Sequence, residues 1–184
     1  MKKLLILIAI IQLMISCNGQ QNPDYKYTHN ETEQFLSEVI KNAKASITDI
    51  TEIKKQATDE FGIITRYPLS KNRLEEYNKN NGIIANRDDD ISDFATYAFL
   101  GYELVNEKGE QLKFVDTGRA IYLQEFGLWD YDNILYQNLG IGLKLNQKFE
   151  KLKGFITIEF QMPNGIKRET KIPVNISIND KISE

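Results

Sequence analysis

Apolar residues follow helical spacing near the start of this chain and strand spacing through most of the rest. Phe35, Leu36, Val39, Ile40 and Ala43 recur on one helix face, with Thr32 placed to cap and acidic residues in the first turn. The pattern predicts a helix from about Thr32 to Ala45. Beyond it, Ile47, Ile50 and Ile53 fall every third residue, so Ser46 to Lys55 fits either an extension of the helix or the opening of a sheet. Phe61 to Tyr67 is rich in β-branched and aromatic types and reads as a strand ended by Pro68. Ser70 is placed to cap a short helix holding Leu74 and Tyr77, and Asn78 to Gly82 is a loop by composition.

From Phe94 onward the pattern is β, and turn chemistry sets the register of two hairpins. Gly109 stands where a type I turn with a bulge needs positive φ, which pairs Asn106 with Glu110, Leu104 with Leu112 and Tyr102 with Phe114. The opposite face then pairs Glu103 with Lys113 as a cross-strand ion pair. Met162-Pro163-Asn164-Gly165 follows the same rule and pairs Met162 with Ile166 and Ile156 with Ile172; a shorter loop would oppose Met162 to Lys167. Ile172, Val174, Ile176 and Ile178 alternate with polar residues and Pro173, as in a half-buried strand near an edge. With Arg119 to Phe126 and Ile134 to Leu145, the count is seven strands, or eight if Ser46 to Lys55 is extended. The expected fold is mainly β, an antiparallel sandwich of two sheets. It is similar to immunoglobulin-like domains in architecture alone, because their cysteine pair is missing. Phe94 to Val105 reads as apolar on both faces, so the N-terminal amphipathic helix is expected to cover one sheet, giving an α+β domain.

The first seventeen residues follow another logic. Lys2 and Lys3 precede an apolar run from Leu4 to Ile15, broken only by Gln12 and followed by Ser16 and Cys17. Charged, apolar and small segments in that order form a secretory signal, and the run is shorter than the roughly 20 residues of a permanent span. Leu13-Met14-Ile15-Ser16-Cys17 resembles the lipobox of bacterial lipoproteins, with Met14 departing from the usual leucine. The resemblance implies that Cys17 is acylated and becomes the mature N-terminus. Acylation also consumes the only thiol in the sequence. Residues 1–16 are thus expected to be a signal peptide, 17–30 a lipidated cysteine with a flexible tether, and 31–184 one domain. The first carboxylate after Cys17 is Asp24, and no early acidic cluster follows the anchor. In lipoproteins such clusters can mark retention or display, so their absence leans towards the periplasmic face of the outer membrane.

Of 23 basic residues two lie in the leader, which leaves 21 against 26 acidic ones and a net charge of −5. That balance, without a basic cluster, excludes a nucleic-acid partner. The single histidine, His29, sits in the polar lead-in, which removes Ser-His-Asp and Cys-His nucleophiles and multi-histidine metal sites. Asp88, Asp89, Asp90, Ser92 and Asp93 include alternate oxygen ligands of the type calcium takes, but Asp93 and Phe99 stand where the loop needs glycine and glutamate. A solvated acidic turn is the expected outcome, with no metal and no cofactor. Scattered carboxylates without a phosphate loop or nucleophile elbow weigh against an enzyme.

Phe126 to Asn133 reads as an aromatic, carboxylate-rich connection, and Trp129, Asp130, Tyr131 and Asp132 form the candidate binding loop. Tryptophan is usually buried, so Trp129 as a plug at one end of the core is favoured over an exposed Trp129. The expected function is a lipid-anchored binding or interaction module of the cell envelope, with a protein partner. A component of an envelope complex or an inhibitor of a toxin fits this description. The other class is a carbohydrate-binding or carbohydrate-cleaving accessory lipoprotein using Trp129 and Tyr131.

Overall fold

Thr28 begins the first helix, α1 (His29–Asn42), by a reciprocal cap: its hydroxyl accepts from Glu31 N–H at 3.3 Å, and Glu31 Oε2 accepts from Thr28 N–H at 2.8 Å. The computed structural model describes residues 22–47, 57–82, 90–115 and 122–178. The signal segment, Cys17, most of Ser46 to Lys55, Asp88, Asp89 and the start of the Arg119 strand lie outside the described residues. Because Thr28 caps, the helix starts earlier than its apolar spacing predicts, and Thr32 is buried within it. There the Thr32 hydroxyl lies 2.6 Å from Tyr25 Oη and accepts from Asn164 Nδ2 at 2.9 Å. Tyr25 and Tyr27 pack edge-on against Phe94, so the lead-in expected to be tether through Asn30 is folded onto the domain from Tyr25 onward.

Seven strands follow among the described residues: β1 (Lys44–Ser46), β2 (Thr58–Pro68), β3 (Thr96–Asn106), β4 (Gln124–Tyr131), β5 (Ile134–Phe149), β6 (Lys151–Gln161) and β7 (Lys167–Ser177). A short helix, α2 (Lys71–Lys79), capped by Ser70 as its sequence predicts, and a 3₁₀ turn, Ile91–Phe94, separate β2 from β3. All pairings are antiparallel, in sheets ordered β1-β2-β5-β4 and β3-β6-β7. The two sheets form a sandwich-like arrangement around one core. Phe61, Ile63, Leu139, Ile141 and Leu143 from one sheet and Leu104, Ile156, Ile158, Phe160 and Val174 from the other are nearly inaccessible to solvent.

The fold class agrees with the sequence pattern, and so do the turns. Met162 donates to Ile166 O at 3.0 Å, Ile156 pairs with Ile172, and Asn106 donates to Glu110 O at 3.1 Å. Gly109 and Gly165 take φ of 78° and 82° as their turns require. The first hairpin parts after Leu112. Lys113 N–H bonds Asn146 Oδ1 and Val115 N–H bonds Lys144 O, so the segment crosses to the other sheet, and no Glu103–Lys113 ion pair is found among the described residues. Tyr102 and Phe114 still meet, with ring centroids 4.2 Å apart.

The expected second apolar face of β3 does not exist. A bulge at Leu100 shifts the register between Phe99 and Gly101, so Tyr97, Phe99, Tyr102 and Leu104 pair with Phe160, Ile158, Ile156 and Gly154 and point the same way. Helix α1 therefore has a different task from covering that strand. Phe35 packs edge-on to Tyr67 at 4.9 Å, Thr65 Oγ1 donates to Val39 O at 2.8 Å, and Asn164 reaches Thr32. These contacts put α1 across one end of the sandwich, against β2 and the β6–β7 turn.

Candidate functional site

Two places concentrate polar and aromatic side chains. The first is the β4–β5 hairpin, where sequence placed the binding loop. Phe126 to Tyr131 is strand, and the turn is only Asp132 and Asn133, with φ of 53° and 61°. Such a two-residue turn matches the twist of its strands and needs positive φ at both positions. Asn133→Gly is expected to stabilise the protein by about 0.5 to 1 kcal/mol, read as a raised urea midpoint, because glycine adopts that backbone without side-chain strain.

Trp129 pairs with Tyr136, and Arg66 and Gly127 both pair with Asn138. This register puts Arg66, Trp129, Tyr131 and Tyr136 on the outer face of the four-stranded sheet. Trp129 is 41% exposed and Tyr131 66%, with Ile134 beside them at 45%. Trp129 is therefore no plug: alternation along β4 turns it away from the core. The Arg66 guanidinium lies 4.6 Å from the centre of the indole ring, a cation–π contact between the two side chains. Asp130 and Asp132 are exposed at the hairpin end.

The second place was not legible as a site. Arg73 on α2 is 2% exposed, whereas Leu74, one of the apolar residues that defined the helix in the sequence, is 38% exposed. The Arg73 guanidinium donates to Gln137 Oε1 at 3.0 Å and to Asp93, and its Nε lies 3.7 Å from Asp90 Oδ2. Asp90 is wholly buried and accepts from Ser92 N–H and Oγ; Gln137 Nε2 in turn donates to Ser92 Oγ. At Asp90, Ser92 and Asp93, the described part of the expected solvated acidic turn, the side chains instead form an internal ion network that joins α2 and the 3₁₀ turn to β5. Burial pushes the Asp93 carboxyl above its usual range, against the opposing pull of Arg73.

An open depression of about 680 Å³ lies over this network, lined by Lys26, Arg73, Asp93, Tyr122 and Glu125 among others. Asp90 and Arg73 are already engaged with one another, so the network reads as structural support beneath the depression. Among the described residues no three His, Cys, Asp or Glu side chains are grouped to hold a metal ion. Among them, too, no helix is long and apolar enough to cross a membrane. Comparison of the chain with protein-family models, curated proteins and solved structures finds no match.

Proposed function

We propose that this chain is a lipid-anchored interaction module of the cell envelope, held by an acylated Cys17 and binding a protein partner through the outer face of the β4–β5 hairpin. A part in an envelope complex or inhibition of a toxin are the roles such a module fits. The observation that carries the reading is the exposure of Trp129 and Tyr131 beside Arg66. Trp, Tyr and Arg are the residue types that dominate interface energetics, and here they share one rigid strand face. Arg66 takes up one side of the indole ring, which favours a protein surface over a sugar stacked on that ring. Residues 1–17, read as a lipoprotein signal, support a place in the envelope on the periplasmic face of the outer membrane.

The test is crosslinked co-purification of the full chain from its native membranes, with Trp129→Ala and Cys17→Ala compared. One protein should be enriched by the parent and by Cys17→Ala, and lost with Trp129→Ala. Because Trp129 packs outside the core, its alanine variant should lose no more than about 1 kcal/mol in a urea titration. Retention on a glycan array, abolished by the same variant, would replace this reading with the carbohydrate one.

A further inference from the structure

The open side of β4 presents a backbone template. This strand ends the four-stranded sheet and pairs only with β5 among the described residues. Tyr131 and Ile134 close the hairpin across a two-residue turn. In such a hairpin the closing pair exchanges hydrogen bonds and the next pair turns its backbone groups outward. Tyr131 and Trp129 therefore bond β5, and Asp130 and Leu128 direct N–H and C=O to the open side. The alternation is visible on β5: Leu135, opposite Asp130, turns its carbonyl the other way and accepts from Leu69 N–H at 2.8 Å. Ahead of the bulge near Phe126, this side is occupied, because Tyr122 bridges Thr96 and Leu123 N–H bonds Ala95 O. From Gly127 to Tyr131 no described residue makes a backbone bond to it.

Two outward donor–acceptor sets spaced roughly 7 Å apart match the repeat of an extended polypeptide. Exposed edges are normally guarded by lysine, proline, a bulge or a covering loop; Gly127 to Tyr131 lies past the bulge near Phe126 and contains neither lysine nor proline. The charges of Gln124 to Asn133 are Glu125, Asp130 and Asp132, without one cation. Two copies of this edge would set like charges side by side, which disfavours self-pairing. We infer that the β4 edge takes up an extended, basic segment of a protein partner as a fifth strand of the sheet. Apolar side chains of that segment lie over Trp129 and Tyr131, and a lysine or arginine faces Asp130. The inference rests on the interaction reading above and adds how the partner is held.

A labelled peptide, fluoresceinyl-Lys-Val-Lys-Val-Lys-Val-Lys-amide, is mixed with increasing amounts of the full chain in detergent and followed by anisotropy. Saturable binding is expected, and Leu128→Pro should weaken it at least about tenfold. Proline there removes an outward N–H and leaves the ladder to β5 whole, so the thermal melt should match the parent. Asp130→Lys should weaken binding of the basic peptide and create binding of its glutamate counterpart. Should Leu128→Pro unfold the protein, backbone N-methylation of the peptide decides instead. Methylating one alternate set of amides should abolish binding and methylating the other should leave it. No saturation up to about 1 mM of the chain, equal effects of both methylation patterns, or a dimer of the chain that Leu128→Pro dissolves would each overturn the inference. Capture of the native partner that is lost with Trp129→Ala but untouched by Leu128→Pro would overturn the edge mode and leave the interaction reading standing.

Discussion

Replacing Arg73 by methionine is expected to destabilise the fold by about 3 to 5 kcal/mol, because the buried Asp90 and the half-buried Asp93 lose their shared cation. Asp90 is wholly buried and Asp93 partly so, and both face Arg73. Gln137 also loses its donor, which adds an unsatisfied amide oxygen on β5. Urea titrations of Arg73→Met, with and without Asp90→Asn and Asp93→Asn, measure the loss. Neutral amides at both positions should restore a large part of it. The loss should also depend on pH in a fixed direction. Burial already raises the folded pKa of Asp93 above its unfolded value, and removing Arg73 raises it further. Protonation then favours the folded variant: the penalty is complete near neutral pH and fades as pH falls through that raised pKa towards the unfolded carboxylate range of about 4. The stability gap between variant and parent should therefore be smaller at about pH 4.5 than at about pH 7. An unchanged gap would mean that Arg73 acts only by filling space.

Gly154→Ala should cost at least about 3 kcal/mol, a loss that a thermal melt would show directly. A β-carbon at this position would lie 1.8 Å from the Glu103 carbonyl oxygen, and φ is +141°, where L side chains are strained. Leu104 and Val174 flank Gly154 on the two neighbouring strands, so any shift to make room disturbs both ladders of the three-stranded sheet. Gly101→Ala is the control, because nothing lies within 4 Å of its added carbon. It should change stability by less than about 1 kcal/mol and lean towards a gain from the stiffer unfolded chain. Equal losses at the two glycines would show that strand glycine, and not the close approach to Glu103, sets the cost.

Local chemistry explains which features the sequence disclosed. Gly109, Pro163 and Gly165 constrain their own backbones, so turn type and register follow from a few neighbouring residues. Alternation along Ile172, Val174 and Ile176 is equally local. The bulge at Leu100 is not: one extra residue reverses the parity of every later position, and nothing in Phe99-Leu100-Gly101 distinguishes it from regular strand except its glycine. Phe126 to Asn133 misled for a similar reason. Its glycine, two aspartates and asparagine are turn formers, yet the turn needs only Asp132 and Asn133, while Gly127 serves a register shift in β4. That error hid the exposure of Trp129, since strand alternation, absent from a loop, is what faces it outward. The ion network lay furthest from view, because Arg73, Asp90 and Gln137 belong to separate elements that only the packed core brings together.

Docking of Tyr25 and Tyr27 on Phe94 sets how far the folded domain can stand from Cys17. If Cys17 carries the lipid, only the seven residues from Asn18 to Asp24 separate it from the first docked side chain. Fully stretched, the steps from Cys17 to Tyr25 reach no more than roughly 29 Å. The end of the sandwich closed by α1 is the end from which this leash departs. Strand directions put the Tyr131–Ile134 hairpin there too, since Ile134 and Tyr136 begin β5 beside Pro68, where β2 finishes. The β4 edge and the start of the leash lie at the same end of the sandwich, so a lipid on Cys17 would hold that edge close to the bilayer. On the proposed reading, a partner of that edge would be met near the lipid surface, and a receptor confined to the middle of the periplasm would be out of range.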